Sequence, residues 1–410
     1  MMLFILRLPS HGFVGDCRWP AISRARIIPR MNPDTLVSSL APHPYSWLAA
    51  LAFALTGTLS PTQAQTILAD PPTPPPGAAR PAPLPSPAVN PLISRLALGS
   101  CMKQDRPVPI LRTVMDWEPE LFIWLGDNIY GDTHDMNVLE ARYQQLAAKP
   151  LFAALRAKTP MVATWDDHDY GLNDAGSDYT KKEESKEIFL RFWNEPEESE
   201  RRQRPGIHTS YTFTDPTLKK SLQVIMLDTR TFRTPLTKNT TSSYKNDYRP
   251  DSSPANTFLG ADQWNWLKSR LQEPADLRLI GTSIQFGHEY NGWESWTNFP
   301  TEIEKMVDLI KETKANGVVF LSGDVHWGEL SVLKAPGCYP LHDLTASGIN
   351  EEWDILEPNR NRVGQACMDH HFGFIEINWH APDPSVALHI KDVTGRARVK
   401  QNVRLSHLKF

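Results

Sequence analysis

Short, continuous apolar runs that end in polar residues recur along the chain from about residue 94 onward. Runs of this kind are typical of strands buried on both faces. The polar residues that follow each run would lie at the carboxyl end of its strand. The predicted strands are 96–98, 121–125, 161–164, 224–227, 318–321 and, as a sixth candidate, 277–284.

Helical periodicity separates these strands, with apolar residues recurring every three or four positions. Alternation of strands and helices favours an α/β fold, in which ligands bind beyond the carboxyl ends of the strands. Two later runs, 372–379 and 385–391, read as strands that close a second sheet. We therefore predict a two-sheet sandwich flanked by helices. The predicted helices are 109–117, 138–146, 181–194, 260–271 and 302–315.

The composition is that of a globular protein, and its net charge does not indicate a particular class of binding partner. Of the 410 residues, 40% are hydrophobic, which is ample for a packed core. The formal net charge is only -4, so the overall balance gives no nucleic-acid-binding signature. We expect one catalytic domain over residues 94–410 and make no prediction of its oligomeric state.

The N-terminal region differs from this body. Residues 1–64 carry basic side chains followed by an apolar stretch that is short for a membrane span and ends at a small residue, Ala64. We read them as an export signal, with Met31 as an alternative start and a retained membrane anchor as the competing interpretation. Residues 65–93 are rich in proline and read as an extended linker. The mature protein would be periplasmic or extracellular, with no stable membrane span.

Three cysteines would remain after removal of the signal, and they cannot all pair with one another. One arrangement is a disulfide between Cys338 and Cys367 with Cys101 held free, as an oxidising compartment permits. The alternative is that all three are buried thiols.

The polar strand ends carry the candidate chemistry. Any one of them is compatible with ordinary turn structure, but together they place a thiol, a phenol, carboxylates and imidazoles at equivalent positions on successive strands. Thiolate and phenolate suit a strongly Lewis-acidic transition metal, whereas carboxylates suit a hard cation such as Ca²⁺ or Mg²⁺. We therefore predict a two-metal site, with Asp127 as the bridging ligand. The candidates are Cys101, Asp127, Tyr130, Asp166, Asp167, His168, Asp324 and His326.

Four motifs occur in order at these strand ends. They are Gly99-Ser100-Cys101, Gly126-Asp127-Asn128-Ile129-Tyr130-Gly131-Asp132, Trp165-Asp166-Asp167-His168-Asp169 and Ser322-Gly323-Asp324-Val325-His326. Together they resemble the motifs of the alkaline phosphatase D (PhoD-like) family, and the likeness runs from about residue 96 to residue 379. That family belongs to the calcineurin-like metallophosphoesterases and is distantly similar to the purple acid phosphatases.

The resemblance implies a ligand set for each metal. Around Fe³⁺ it places Cys101, Asp127, Tyr130 and His326. Asp127 would bridge to a second ion, Ca²⁺ or else Mg²⁺, Mn²⁺ or Zn²⁺, completed by Asp167 and Asp324. Asp166 would bind the second ion as well, or would contact the residues that bind it.

The resemblance also implies catalytic groups. His168 would face the substrate, contacting the phosphoryl group or protonating the leaving oxygen, and Asp169 would orient its imidazole. Asn173 falls where the family often places a polar residue near phosphate. Arg230 would clamp a phosphate oxygen, or alternatively pair with Asp228 or another acid.

Several positions depart from the family pattern or stay open. Either Gln285 or His288 occupies the place of a metal-binding histidine in related enzymes. His371 is local variation or a group behind the ligands. We expect Trp293 and Trp296 to pack their loop rather than line a pocket. The insert 234–257 would lie over the site and restrict access to it.

The function expected from these features is hydrolysis of phosphomonoesters, phosphodiesters or both. A metal-activated hydroxide would attack phosphorus in line with the leaving group. The alternative is a secreted, non-catalytic protein that binds a ligand with some of its 13 tryptophans.

Overall fold

The computed structural model describes residues 90–241, 247–289 and 292–410. The predicted export signal and residues 65–89 of the predicted linker lie outside these ranges. Within them, no helix has the length and apolar character needed to cross a membrane.

The strands follow the apolar runs, with additions that the pattern did not predict. The strands are β1 Asn90–Pro91, β2 Arg95–Gly99, β3 Leu121–Leu125, β4 Met161–Thr164, β5 Thr209–Asp215, β6 Lys220–Met226, β7 Leu277–Gly281, β8 Val318–Ser322, β9 Gly328–Leu333, β10 Leu341–Ala346, β11 His371–Asn378, β12 Ser385–Asp392 and β13 Ala397–Arg404.

The helices begin and end where local chemistry dictates. In the longest of them, α8, Pro300 occupies the first turn, where its missing N–H costs no hydrogen bond. The same helix ends at Lys314 in a left-handed conformation, with φ 52°. The α-helices are α1 Ile110–Asp116, α2 Met136–Ala147, α3 Pro150–Lys158, α4 Asp167–Tyr170, α5 Lys182–Phe192, α6 Glu200–Gln203, α7 Gly260–Leu271 and α8 Pro300–Thr313.

The strands form two mixed sheets. The seven-stranded sheet has the order β1-β5-β6-β7-β8-β10-β9, and the six-stranded sheet has the order β13-β12-β11-β2-β3-β4. In the first, β6, β7, β8 and β10 are parallel, and in the second β2, β3 and β4 are parallel. The parallel strands of each sheet therefore end together at one edge.

Alternation along β3 shows how the layers are arranged. Leu121, Ile123 and Leu125 pack in the larger core, which also contains apolar residues of the seven-stranded sheet. Phe122 and Trp124 pack instead in a second core with residues of α1, α2, α3 and α5. The strand is thus buried on both faces, between the other sheet and a helical layer. This arrangement confirms the predicted mixed fold of two sheets with flanking helices.

The missed elements lack a clear apolar pattern. Strand β10 is buried along its whole length although it contains His342, Asp343 and Thr345. The Asp343 carboxylate accepts hydrogen bonds from the Phe286 and Gly287 amides at 2.9 and 2.7 Å. Tertiary hydrogen bonds therefore permit a polar sequence in a buried strand, which periodicity cannot reveal.

The predicted disulfide is absent from the structure. Cys101, Cys338 and Cys367 are all free thiols, as the alternative predicts, but only two of the three are buried. Cys101 and Cys367 are buried, and Cys338 is half-buried.

Candidate metal centre

The carboxyl ends of strands from both sheets meet at one site. In the six-stranded sheet, β2, β3 and β4 lead into Cys101, Asp127 and Asp167. In the seven-stranded sheet, β8 leads into Asp324 and His326. Residues more than 200 positions apart in sequence are thereby brought within ligand distance of one another.

We call the convergent side chains the donor cluster. Its atoms form overlapping groups, within each of which the candidate ligand atoms lie less than 4.8 Å apart. One group is Cys101, Asp127 and His326, and another is Asp127, Asp166, Asp167 and Asp324. Asp127 belongs to both, which is the position that a bridging ligand requires. The donor cluster consists of Cys101, Asp127, Tyr130, Asp166, Asp167, Asp324 and His326.

Short distances connect the members of the first group with one another and with Tyr130. The Cys101 Sγ lies 3.5 Å from Asp127 Oδ2, and the Tyr130 hydroxyl lies 3.4 Å from the same oxygen. The Tyr130 hydroxyl is also 3.1 Å from His326 Nε2. The phenol, thiol, imidazole and carboxylate predicted for one metal therefore face a common point.

The backbone at these strand ends is unusual. Cys101, Asp127, Asp324 and His326 all have positive φ, at 58°, 49°, 76° and 65°. Non-glycine residues adopt this region rarely, and such residues concentrate at functional sites. Gly126 precedes Asp127 with φ 99°, and a Cβ there would lie 2.5 Å from Asp166 Cβ. The turn after β3 therefore requires glycine.

Asp169 does not orient His168, contrary to the prediction. Its buried carboxylate accepts hydrogen bonds from the Asp127 amide at 3.2 Å and the Asp166 amide at 2.7 Å. It also accepts one from the Asn128 side-chain amide at 2.5 Å. Asp169 therefore connects the turn after β3 to the turn after β4 by hydrogen bonds, and it holds the backbone that carries Asp127 and Asp166.

Asp132 takes the place predicted for Asp169. The His168 Nδ1 lies 2.8 Å from Asp132, whose carboxylate also accepts the Asn173 amide at 3.1 Å. Burial opposes the charged imidazole, but the carboxylates of Asp167, Asp127 and Asp132 outweigh it and raise the pKa of His168 to about 11. In this arrangement Asp132 fixes the orientation of the His168 imidazole.

The buried carboxylates of the donor cluster repel one another, and a bound positive charge would stabilise them. Burial and the neighbouring carboxylates raise the pKa of Asp127 and of Asp324 well above the usual range. Two buried oxygens, Asp127 Oδ1 and Asp166 Oδ2, have no hydrogen-bond partner among the described residues. Unpaired buried carboxylate oxygens are costly unless they bind a cation. The residues present therefore fit a metal centre.

The remaining ligands carry the protonation states that burial dictates. Burial, reinforced by the charge of Asp127, raises the pKa of the Cys101 thiol and of the Tyr130 phenol. Burial lowers the pKa of His326 to about 4, so its imidazole is neutral and able to bind a metal at physiological pH. Metal binding would therefore release protons from the thiol and the phenol.

Arg230 forms buried ion pairs instead of facing the cavity. Its guanidinium donates to the Asp166 carboxylate and, at 2.7 Å, to Glu294. All three side chains are almost completely buried. The ion-pair alternative therefore describes the structure, with Asp166 and Glu294 as partners rather than Asp228. Arg230 contacts Asp166 Oδ1, so Asp166 Oδ2 is available to bind a metal.

A cavity of about 230 Å³ opens above the cluster. Asp167, Asp324 and His326 line it, together with the predicted substrate-facing residues His168 and Asn173. These five predicted site residues line the cavity, whereas the other predicted site residues do not: Cys101, Asp127, Tyr130, Asp166, Asp169 and Arg230.

Sequence reasoning missed a further acidic group beside the cavity. Ligand atoms of Asp167, Asp174 and Glu294 lie within 4.8 Å of one another. Asp174 has φ 58° and accepts a hydrogen bond from the Tyr248 hydroxyl at 2.5 Å. Neither Asp174 nor Glu294 directly follows a strand, so no strand-end signal marks them.

A hydrogen-bonded chain supports the thiol from behind. The Ser347 hydroxyl lies 3.1 Å from Cys101 Sγ and accepts the His326 amide at 2.8 Å. The Ser347 amide donates to His371 Nε2 at 3.0 Å. His371 therefore acts behind the ligands, as one of the two predicted alternatives had it.

Gln285 and His288 both lie against buried Glu329. The Gln285 side-chain amide donates to Glu329 at 3.0 Å, and His288 Nε2 lies 3.6 Å from the same carboxylate. Among the described residues, His288 falls outside the groups that could hold a metal.

The two tryptophans of the 293–296 loop have different roles. Trp296 is fully buried in the core, as predicted, and its indole donates to Thr282 at 2.8 Å. Trp293 lines the cavity, so the packing prediction is wrong for this residue.

The described part of the insert 234–257 lines a neighbouring cleft through Pro235 and Tyr248. This cleft shares Asn173 and Asp174 with the cavity.

Comparison with known proteins agrees with this geometry. The chain is 25% identical over 279 residues to alkaline phosphatase D of Bacillus subtilis (strain 168), an alignment that covers 59% of this chain. It spans about half, 47%, of the length of that relative. The solved structure of PhoD superposes with a TM-score of 0.59 and 20% identity, covering 78% of this chain and 73% of that one.

The family assignment rests on a match to the family as a whole. Residues 96–351 match the PhoD-like phosphatase family, a span that includes every member of the donor cluster. The chain therefore belongs to the PhoD-like phosphatase family.

Proposed function

We propose that the protein is an exported, metal-dependent phosphoester hydrolase. The observation that carries the proposal is the donor cluster, in which buried acidic side chains converge beneath a cavity. Two of its carboxylate oxygens have no hydrogen-bond partner in the part of the chain that the structure describes. Membership of a phosphatase family supports the same reaction class.

Two sets of residues would hold the metals. Cys101, Tyr130 and His326, with Asp127, offer the soft and anionic donors that suit Fe³⁺. Asp127, Asp167 and Asp324 offer carboxylates that suit Ca²⁺, or Mg²⁺, Mn²⁺ or Zn²⁺ in its place. When bound, the two ions would supply Lewis acidity that activates water and offsets charge on the phosphoryl oxygens.

The chain's own residues would handle the leaving group. As water adds to phosphorus and the bond to the ester oxygen breaks, His168 would give a proton to that oxygen. Asp132 holds His168 Nδ1, which fixes the ring for this transfer. Asn173, on the same side of the cavity, would contact a phosphoryl oxygen.

Two chromogenic substrates test the proposal directly. The purified protein, first depleted with a chelator and then supplied with Fe³⁺ and Ca²⁺, should hydrolyse p-nitrophenyl phosphate, bis(p-nitrophenyl) phosphate or both. The ratio of the two rates assigns monoester or diester preference. No bound metal and no hydrolysis of either compound would overturn the proposal and favour a non-catalytic binding protein.

Colour tests the proposed iron. Tyrosinate bound to Fe³⁺ absorbs visible light, so we expect a purple to brown protein that the Tyr130→Phe variant bleaches. A Cys101→Ser variant should fold but bind less iron, because it loses one ligand while the surrounding core is kept. Colour that survives Tyr130→Phe would remove Tyr130 from the ligand set.

Export has a separate test. Expression of the full chain in a bacterial host, followed by N-terminal sequencing of the mature protein, should find cleavage after Ala64. Full-length protein retained in the membrane fraction would favour the anchor instead.

A further inference from the structure

The cavity above the donor cluster is lined by two chemically different sets of residues. His168, Asn173 and Asp174 are polar. Trp293, Trp327 and Trp353 line the cavity as well, and we call these three residues the aromatic wall. Nothing in the proposed hydrolysis of a phosphoryl group requires three indole rings at this place.

The aromatic wall forms a corner. The rings of Trp293 and Trp353 lie with centroids 5.7 Å apart and planes at 82°. Trp353 is also close to a candidate metal ligand, with its ring centroid 6.2 Å from that of His326. A group bound against this corner would therefore sit beside the phosphoryl position.

Exposure of the wall is uneven. Trp327 is buried, whereas 37% of Trp353 remains exposed. Leaving an indole surface in water is unfavourable, and exposed apolar surface at the rim of a cavity commonly marks a ligand site. Trp353 is thus the member of the wall that a ligand would cover.

We propose that the preferred substrates are phosphoesters that carry a planar aromatic arm, and that the aromatic wall binds this arm. The inference rests on the proposed phosphoester hydrolase function. A perpendicular pair of rings gives a planar group one face to stack on and one edge to meet, the two arrangements that aromatic groups prefer.

Size limits the arm to about one ring system. A protein cavity of about 150 Å³ accommodates benzene, and the cavity here measures about 230 Å³. One ring and a phosphoryl group therefore fill it, and a larger arm would extend past Trp353 into solvent.

A quaternary ammonium group is the competing arm, because tryptophan faces also bind such cations. Glu294, an acid that lines the cavity, is already paired with Arg230 at 2.7 Å and with Arg233 at 3.1 Å, which favours a neutral arm.

A substrate series with a constant leaving group tests the inference. p-Nitrophenyl phenyl phosphate, p-nitrophenyl methyl phosphate and p-nitrophenyl phosphorylcholine release the same phenolate and differ only in the retained arm. We expect the metal-loaded enzyme to have the highest kcat/KM with the phenyl arm. Trp353→Ala should lower the phenyl-to-methyl ratio of kcat/KM about tenfold, equivalent to about 1.4 kcal/mol, mainly through KM, and Trp353→Phe should lower it less.

The matched control is Ile355→Ala, which removes an exposed apolar side chain from the same loop without touching the wall. Its phenyl-to-methyl ratio should equal that of the wild type. Equal wild-type rates for the phenyl and methyl arms, a preference for the choline arm, or an equal loss with both arms in Trp353→Ala would overturn the inference alone. A wild-type protein that hydrolyses none of the three diesters, nor a monoester, would refute the hydrolase function itself.

Discussion

The donor cluster and the aromatic wall border one cavity but are built in opposite ways. Members of the donor cluster stand within a few residues of strand ends, and their backbone is held by the two sheets and by Asp169. Trp353 and Trp293 stand on irregular loops, and Trp353 is partly exposed. Rigid elements therefore position the chemistry, while loops supply the surface that would select the substrate.

This contrast predicts that changes in the donor cluster affect metal binding and turnover, whereas changes in the wall affect selectivity. The largest effect should come from Asp127→Asn, which removes the charge of the shared ligand. We expect kcat of this variant to fall about 10³-fold, which corresponds to a loss of several kcal/mol of transition-state stabilisation.

Metal analysis of the Asp127→Asn variant should show less bound metal as well. The exposed Asp116→Asn change is the matched control and should alter neither quantity. Full metal content together with wild-type turnover in Asp127→Asn would break the comparison, because the cluster would then not be the catalytic region.

A smaller effect should come from His168→Gln. Loss of a general acid costs about 10²-fold or more when the leaving group needs a proton. An alkyl phosphoester should therefore lose more activity than a p-nitrophenyl ester, whose phenolate leaves unprotonated, and bound metal should stay at the wild-type level. His134→Gln, at an exposed imidazole near the site, is the control. Equal losses with both esters would contradict the role of His168 as general acid, and loss of metal would place it among the ligands.

The smallest effect concerns the stability of the metal-free protein. Burial raises the pKa of Asp166 and of Asp169 to about 7, above the usual value of about 3.9. The folded state then holds protons that the unfolded state has released, so stability falls as pH rises through the window between these values. The raised pKa of His168, about 11, acts in the same direction above pH 6.5.

We therefore expect the Tm of the chelated protein to be higher at pH 6 than at pH 8, by on the order of 5 °C. Bound metals should abolish or reverse the difference, since they replace the protons. Trp353→Ala should keep the wild-type pH response, because the wall carries no carboxylate. A chelated protein more stable at pH 8 than at pH 6 would contradict the raised pKa values of Asp166, Asp169 and His168.

The sequence by itself determined the main strands and the donors that follow them. A buried parallel strand requires an apolar run, and its carboxyl end requires a turn, so each motif after such a run has a defined place in the fold. Cys101, Asp127, Asp167 and Asp324 could be placed together for this reason. The pattern did not predict polar buried strands such as β10, because hydrogen bonds to residues remote in sequence satisfy their polar groups.

Only the tertiary structure decided which groups act on one another. Arg230 is paired with Asp166, 64 positions away, and His168 with Asp132 rather than with its neighbour Asp169. Asp174, Glu294 and Trp353 lie at the cavity although no strand end marks them. Periodicity reports which face of an element is buried, but a side-chain partner depends on how loops from different elements pack, and that packing is fixed only when the two sheets come together.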